Sequence, residues 1–386
     1  MVESGSMGQK PEMGTARYIV GNVKRFNQKN ELFKRARWDP SLKIMAERFF
    51  GTIKPNNKLG YSHKDLALRE AAWYIEDAFA HGCKIHNSGL FSWEDELAEL
   101  SSIPVDLKLD ITDIEKTTED IKKVARLFGA SLVGITKLDE NWLYSHSYNT
   151  LTNEVKELDF PVDCKYAIVL VFAMDYGLVK TSPAWLAQST EGIEYSRMPF
   201  TASMLAQFIR GLGYKAIPGG NDTAINIPLA IDAGLGELGR NGLLITRRFG
   251  PRVRLARVFT DLSLKVDKAV ELGITRFCQN CGKCAKHCPG QAIMNGERTI
   301  EGHNISSSVG VLKWPINAEK CFSFWVRNEG SCMNCIRVCP FNKAPGLIHD
   351  VAWWLVKNFT VFDLPLVKID DLLGYGKQKE ADFWSG

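Results

Sequence analysis

Eight of the ten cysteines in this 386-residue chain fall within 62 residues near its C-terminal end, and their spacing constrains the fold more than any other feature. Cys278-x2-Cys281-x2-Cys284-x3-Cys288-Pro289 is a bacterial ferredoxin run, in which three thiolates hold one 4Fe–4S cluster and the fourth reaches across to another. A second set, Cys321-x10-Cys332-x2-Cys335-x3-Cys339-Pro340, stretches the first gap and repeats the Cys-x2-Cys-x3-Cys-Pro ending. Crosswise ligation then assigns Cys278, Cys281, Cys284 and Cys339 to one cluster, and Cys288, Cys321, Cys332 and Cys335 to the other. Structural zinc uses separated Cys-x2-Cys pairs and has no use for a third cysteine three residues on, followed by proline. Disulfide frameworks belong to small secreted domains, whereas a chain this long builds its own core. Cys83 and Cys164 lie far from the array and read as small buried apolar residues.

Hydrophobic residues make up 45% of the chain and charged residues 24%, the balance of a globular protein, which excludes extensive disorder. The longest apolar run, Tyr166 to Met174, is too short to span a bilayer. A formal net charge of +4, dispersed along the chain, argues against a nucleic-acid partner.

Ahead of the cysteines the chain divides by pattern. Residues 1–115 read as helical and loop-rich: Ser62-His63-Lys64-Asp65 resembles a capping box, apolar residues follow it at helical spacing from Leu66 to Phe79, and Gly82 can end that helix. Lys24-Arg25-Phe26-Asn27 reads as ordinary surface. Residues 116–274 alternate helix and strand, with helices expected over 118–128 and 201–212 and strands over 132–138, 166–174 and 214–217, which favours an α/β layer architecture. The cluster module occupies 275–345. The remaining 346–386 is aromatic, with Trp353, Trp354, Phe359 and Phe362, and is expected to pack on the main body; an interfacial membrane contact is the alternative.

Residues 211–254 are dense in glycine. Gly234, Gly236 and Gly239 satisfy G-x-G-x-x-G, but the motif follows an apparent helix rather than a strand, and Arg254 stands near where a ribose-binding acid belongs. The glycines are therefore expected to let the backbone approach a large, flat ligand.

With these residues in view, the chain resembles the corrinoid- and iron–sulfur-dependent reductive dehalogenases over nearly its whole length. The resemblance is carried by Trp38-Asp39-Pro40, Gly60-Tyr61-Ser62, Ala71-Ala72-Trp73, Ser182-Pro183, the segment from Ala233 to Arg240, Phe249-Gly250-Pro251-Arg252 and both cysteine sets. It implies an α/β (α+β) fold, a nitroreductase-like core binding base-off cobalamin beside a ferredoxin-like module with two 4Fe–4S clusters. It also implies a proton-donating tyrosine flanked by an arginine and an asparagine, and the matching positions are Tyr195, Arg254 and Asn221. Corrin contacts are expected from Gly219, Gly220, Gly236, Gly239, Asn241 and His303, and from an insertion at 295–320. The implied substrate is a small halogenated organic molecule, with the electron donor left open. Family precursors carry a twin-arginine export signal that this sequence lacks. The expectation is thus an enzyme on the outer face of the cytoplasmic membrane, held by a small membrane anchor protein, if a signal was removed, and a cytoplasmic enzyme otherwise.

Loss of halide leaves a carbon that must gain a proton, and a free tyrosine is a weak acid with pKa ~10. A nearby guanidinium is expected to lower that value, and an asparagine amide to donate a further hydrogen bond. Two other functions are weighed against this one. An epoxyqueuosine reductase shares the corrinoid and cluster plan, but it requires a basic face for tRNA and usually a longer stretch before the final cysteine run. A non-catalytic ferredoxin-like electron carrier has no use for nearly 280 residues ahead of its clusters.

Overall fold

The structure, a computed structural model, describes residues 13–81, 89–93, 103–104, 106–380 and 383–384; Gly82 and Cys83 lie outside the described residues. The N-terminal part supplies short helices α1 (Leu32–Trp38) and α2 (Lys43–Phe49), then α3 (His63–Ile75). The capping box is present: the Asp65 N–H donates to Ser62 Oγ at 3.3 Å and the Ser62 N–H donates to the Asp65 carboxylate at 2.9 Å. One π-helical turn, Glu76–Ala80, extends α3.

At the centre lies a four-stranded sheet. Helix α4 (Ile114–Leu127) leads into β1 (Leu132–Lys137), a small hairpin of β2 (His146–Tyr148) and β3 (Val155–Glu157) follows, and β4 (Tyr166–Ala173) completes the first half. After α5 (Tyr176–Val179) and the long α6 (Trp185–Gly211) come β5 (Ala216–Gly219), α7 (Asn226–Asp232), the hairpin β6 (Glu237–Leu238) and β7 (Leu244–Ile245), and β8 (Val253–Thr260). The strand order is β1-β4-β8-β5 with every pair antiparallel. Alternating helix and strand therefore produces an α+β sheet rather than parallel βαβ units. No crossover returns a strand beside its predecessor in the same direction.

Both faces of this sheet are covered, which explains the unbroken apolar run in β4. Successive side chains point to opposite faces. Ile168, Leu170 and Phe172 join Ala256 and Val258 of β8 in one core against α4 and α6. Val169 and Val171 join Val253, Leu255 and Phe259 in a second core against α7, Tyr18 and Trp142. Cys164 belongs to that second core at 1% exposure, as a small apolar residue does. On α6, Met198, Ala202, Leu205, Ala206 and Ile209 recur at helical spacing and face the first core.

Helix α6 starts 16 residues earlier than the apolar pattern predicts, at Trp185 rather than 201. Pro199 sits inside it and cannot donate to the carbonyl four residues back, that of Tyr195; burial on the sheet carries the helix through the break.

The cysteine module follows, with α8 (Ile274–Cys281), α9 (Lys283–Lys286), α10 (Ala318–Arg327) and α11 (Asn334–Arg337). The C-terminal helices α12 (Leu347–Asn358) and α13 (Asp363–Leu372) fold back onto it. Phe341 packs on Trp353 with ring centroids 4.5 Å apart, Asp363 accepts from Arg276 at 3.1 Å and from Asn280 at 3.0 Å, and buried Lys283 pairs with Asp370 and, at 2.6 Å, with Asp371. Among the described residues no helix is long and apolar enough to cross a membrane.

Candidate active site

The two cysteine runs fold into the crosswise arrangement. Cys278, Cys281, Cys284 and Cys339 line one small cavity with Phe277, Pro340 and Phe341, so the last cysteine of the second run meets the first three of the first run. Cys335 has Cys332, Cys321 and Cys288 as its electrostatic neighbours, which gathers the other four. Four thiols lining one small cavity are the donor set that iron–sulfur chemistry requires.

The glycine-rich segment packs closely on the hairpin that it forms. A Cβ at Gly236 would lie 2.3 Å from the Ile245 carbonyl, and one at Gly239 would lie 2.5 Å from the Ile245 side chain. A side chain at either glycine would thus collide with the β6–β7 hairpin. Between them, fully buried Glu237 accepts from the N–H groups of Leu272 and Thr275 and so holds the start of α8. Arg240 donates to the carbonyls of Cys278, Gln279, Met294 and Gly296. The segment from Gly236 to Arg240 is therefore the clamp that fixes the cysteine module to the sheet. Asn241, expected against a corrin, lies in the wall of the cysteine cavity.

A larger cavity of about 270 Å³ opens on the α7 side of the sheet. Its wall includes Tyr18, Trp142, Ile227 and Ile231 from the core, and Ser306–Ser308 and Lys313–Ile316 from the 295–320 segment. The buried Trp142 indole N–H has no hydrogen-bond partner, and burial pushes Lys313 down to about 8. An unpaired donor, a partly desolvated amine and three serines set in a mainly apolar wall suit a large ligand carrying acceptor groups at its edge. His303 lies on the same segment, exposed, with Nε2 3.2 Å from the Pro315 carbonyl oxygen.

Tyr195, Asn221 and Arg254 come together, from α6, the loop after β5 and β8 respectively. Asn221 Nδ2 donates to the Tyr195 hydroxyl at 3.0 Å. Arg254 lies over the ring, its Cζ 5.4 Å from the centroid, and Trp73 of α3 stacks on the ring at 4.8 Å. Gly192 makes that stack possible, since a Cβ there would come within 2.5 Å of the Trp73 indole.

Several residues that sequence reasoning missed position this group. Glu191, one helical turn before Tyr195, pairs with Arg254 at 2.5 Å and accepts from Ser331 Oγ at 2.5 Å, which connects the site to the loop carrying Cys332 and Cys335. Arg257 is fully buried, and it donates to the Gly220 carbonyl, to Asn226 Oδ1 and to the Asp222 carbonyl. It pins the loop that presents Asn221, and Gly219 leaves room for its guanidinium, which a Cβ would approach to 3.2 Å. Gly220 is needed against Phe91, whose ring a Cβ would meet at 2.7 Å. Strand parity was the available signal: Arg254 and Arg257 are three apart on β8, so they serve opposite faces.

The expected acidification of Tyr195 does not occur. Burial pushes its phenol above the ordinary value, and the Arg254 charge offsets only part of that. The reason is the pairing of Arg254: burial works against its cation, yet Glu191, Tyr195 and Cys335 hold its pKa above the usual value, and much of its field is already spent on Glu191.

Fold and site together define a redox enzyme with two sets of four cysteines beside a tyrosine held by Asn221 and Arg254. Residues 277–343 match the 4Fe-4S dicluster domain family. Tetrachloroethene reductive dehalogenases of Sulfurospirillum multivorans and Desulfitobacterium hafniense are 35% and 34% identical, each over 85% of this chain and 71% and 70% of the relative. The chain belongs to the reductive dehalogenase family. A solved catabolic reductive dehalogenase superposes with a TM-score of 0.74 at 23% identity over 96% of this chain, which spans about half the length of that protein. An epoxyqueuosine reductase of Lactococcus garvieae is similar only over 31% of the chain, at 27% identity.

Proposed function

We propose that this protein removes halide from a small organohalide, with Tyr195 delivering the proton that replaces it. The observation that carries the reading is the Tyr195 hydroxyl. It is bonded to Asn221, its ring is stacked on Trp73 and lies under Arg254, and it is reached from the second cysteine set through Ser331, Glu191 and Arg254. When bound, the two clusters would relay electrons singly, and a cobalamin would supply the strongly reducing centre that cleaves the carbon–halogen bond. A neighbour of this fold is described as B12-dependent in its dehalogenation.

The chain's own residues then do the rest. Tyr195 keeps its proton at neutral pH, as a phenol of pKa ~10 does, and burial holds that proton still more firmly. Once the proton has left, the Asn221 amide and the Arg254 cation stabilise the phenolate by hydrogen bonding and charge. The set Cys288, Cys321, Cys332 and Cys335 is assigned to the cluster nearer this site. Cys278, Cys281, Cys284 and Cys339 hold the outer one, beneath α13. The cavity lined by Trp142 and Lys313 is assigned to the corrinoid's periphery.

The outer face of the cytoplasmic membrane is the proposed location, with a small anchor protein as partner. The apolar outer surface of α12, where Leu347 and Ile348 are more than 80% exposed and Trp354 is 57% exposed, supports this. Anaerobically reconstituted protein, loaded with corrinoid and iron, is to be assayed for halide release from chlorinated alkanes, alkenes and phenols. Release from at least one class is expected; full loading with no release from any class would overturn the reading.

A further inference from the structure

We propose that Glu76 is the proton store that reprotonates Tyr195 between turnovers, with His81 as its door to solvent; this rests on Tyr195 being the donor. Glu76 opens the single π-helical turn after α3, and such turns are rare and concentrate at functional sites. It follows Trp73 by three residues, the spacing that puts two side chains on one helix face, and Trp73 is the residue stacked on Tyr195. Its backbone N–H donates to Ser196 Oγ at 3.3 Å, and Ser196 in turn donates to the Ala72 carbonyl at 2.6 Å. The residue after Tyr195 thus ties α6 to the turn carrying Glu76.

The carboxyl is mostly buried, at 16% exposure, and its Oε2 is enclosed with no hydrogen-bond partner. A buried carboxylate oxygen without a donor is costly, whereas a protonated carboxyl is tolerated there and can give its proton away. The charged groups around it are Asp222 and Asp77, both acidic, and the His81 ring, which Lys34 also faces; the Tyr195 phenol is within its electrostatic reach, one residue before Ser196. Burial first, then Asp222 and Asp77, push Glu76 up to about 8. Its proton therefore moves downhill to a Tyr195 phenolate, whose conjugate acid lies above tyrosine's ordinary value of 10. His81 Nε2 is 3.8 Å from Glu76 Oε1; its side chain is about half exposed, and partial desolvation pulls its pKa below the ordinary value, which keeps the ring neutral and able to accept a proton.

Each turnover consumes one carbon–halogen bond, two electrons from a low-potential donor and one proton, and yields a carbon–hydrogen bond and halide. Tyr195 gives that proton to carbon. The Glu76 O–H bond then breaks as the Tyr195 O–H bond re-forms, and Glu76 recovers a proton from water by way of His81. No charge accumulates over the cycle.

The test compares a first turnover with steady state in Glu76→Gln, using fully loaded, pre-reduced enzyme and normalising to cofactor content. Because Tyr195 begins protonated, the first turnover is expected within about 2-fold of wild type. The steady-state rate should fall roughly 100-fold, at the low end of what positioned proton transfer contributes. The wild-type steady-state rate should decline above pH ~8, and Glu76→Gln should lose that limb. Independently of turnover, the infrared spectrum at pH 7 should contain a protonated carboxylic-acid band that is absent from the variant. His81→Gln should show the same burst followed by slow cycling. Equal losses in the first and later turnovers would assign Glu76 a structural role and overturn the proposal, as would no loss in either. If Tyr195→Phe retains its first turnover, the underlying donor reading fails instead.

Discussion

Replacing Glu191 with glutamine removes one charge from the buried chain Ser331–Glu191–Arg254 and leaves the guanidinium without its partner. Glu191 is 5% exposed, and its two oxygens are divided between Arg254 and Ser331, each at 2.5 Å. Breaking a buried pair from one side costs about 3–5 kcal/mol, because the remaining charge stays desolvated. Glutamine keeps an oxygen for Ser331, which returns about 1 kcal/mol. The expected loss is therefore about 2–4 kcal/mol. Urea unfolding of the loaded enzyme, followed by tryptophan fluorescence, measures it. Removing the stranded charge as well, in Glu191→Gln/Arg254→Met, should recover part of the loss, so the double-mutant cycle should return a coupling of ~2 kcal/mol or more. Added salt should leave that coupling almost unchanged, since buried pairs are poorly screened. A loss under ~1 kcal/mol, or a coupling that salt abolishes, would refute the claim that Glu191 and Arg254 form a desolvated unit.

Two further outcomes follow from the geometry. Gly192→Ala, which in an ordinary helix interior gains ~1 kcal/mol, should instead destabilise the protein and lower turnover, because the new Cβ displaces Trp73 from Tyr195; a gain measured by urea unfolding would contradict this. Cys288→Ser should damage the cluster assigned to Cys321, Cys332 and Cys335 and spare the one held by its sequence neighbours, as read by electron paramagnetic resonance of the reduced protein.

What the sequence made legible was whatever a short stretch of chain specifies by itself. The ferredoxin spacing, the Ser62–Asp65 capping box and the β4 run each need only neighbouring residues, and each appears where expected. The start of α6 was hidden because Gly192 and Pro199 are poor helix formers, and only burial against the sheet overrides them. The close approach of Gly236 to the Ile245 carbonyl was not legible, because it exists only once the hairpin has closed. Glu191 was missed altogether. It lies 63 residues from Arg254 and 140 from Ser331, and nothing local marks an acid on a helix as a buried bridge. The direction of the Tyr195 shift failed for the same reason: a guanidinium read alone promises acidification, and its pairing with Glu191 withdraws much of that.

The donor role of Tyr195 is tested most directly by the turnover of Tyr195→Phe with both clusters and the corrinoid fully bound. Phenylalanine keeps the stack on Trp73 and removes only the hydroxyl that Asn221 holds at 3.0 Å, so cofactor content should match wild type. Loss of a general acid costs roughly 100- to 10,000-fold, and halide release should fall within that range. Wild-type halide release from the fully loaded variant would contradict the account and leave water or another residue as the source of the proton.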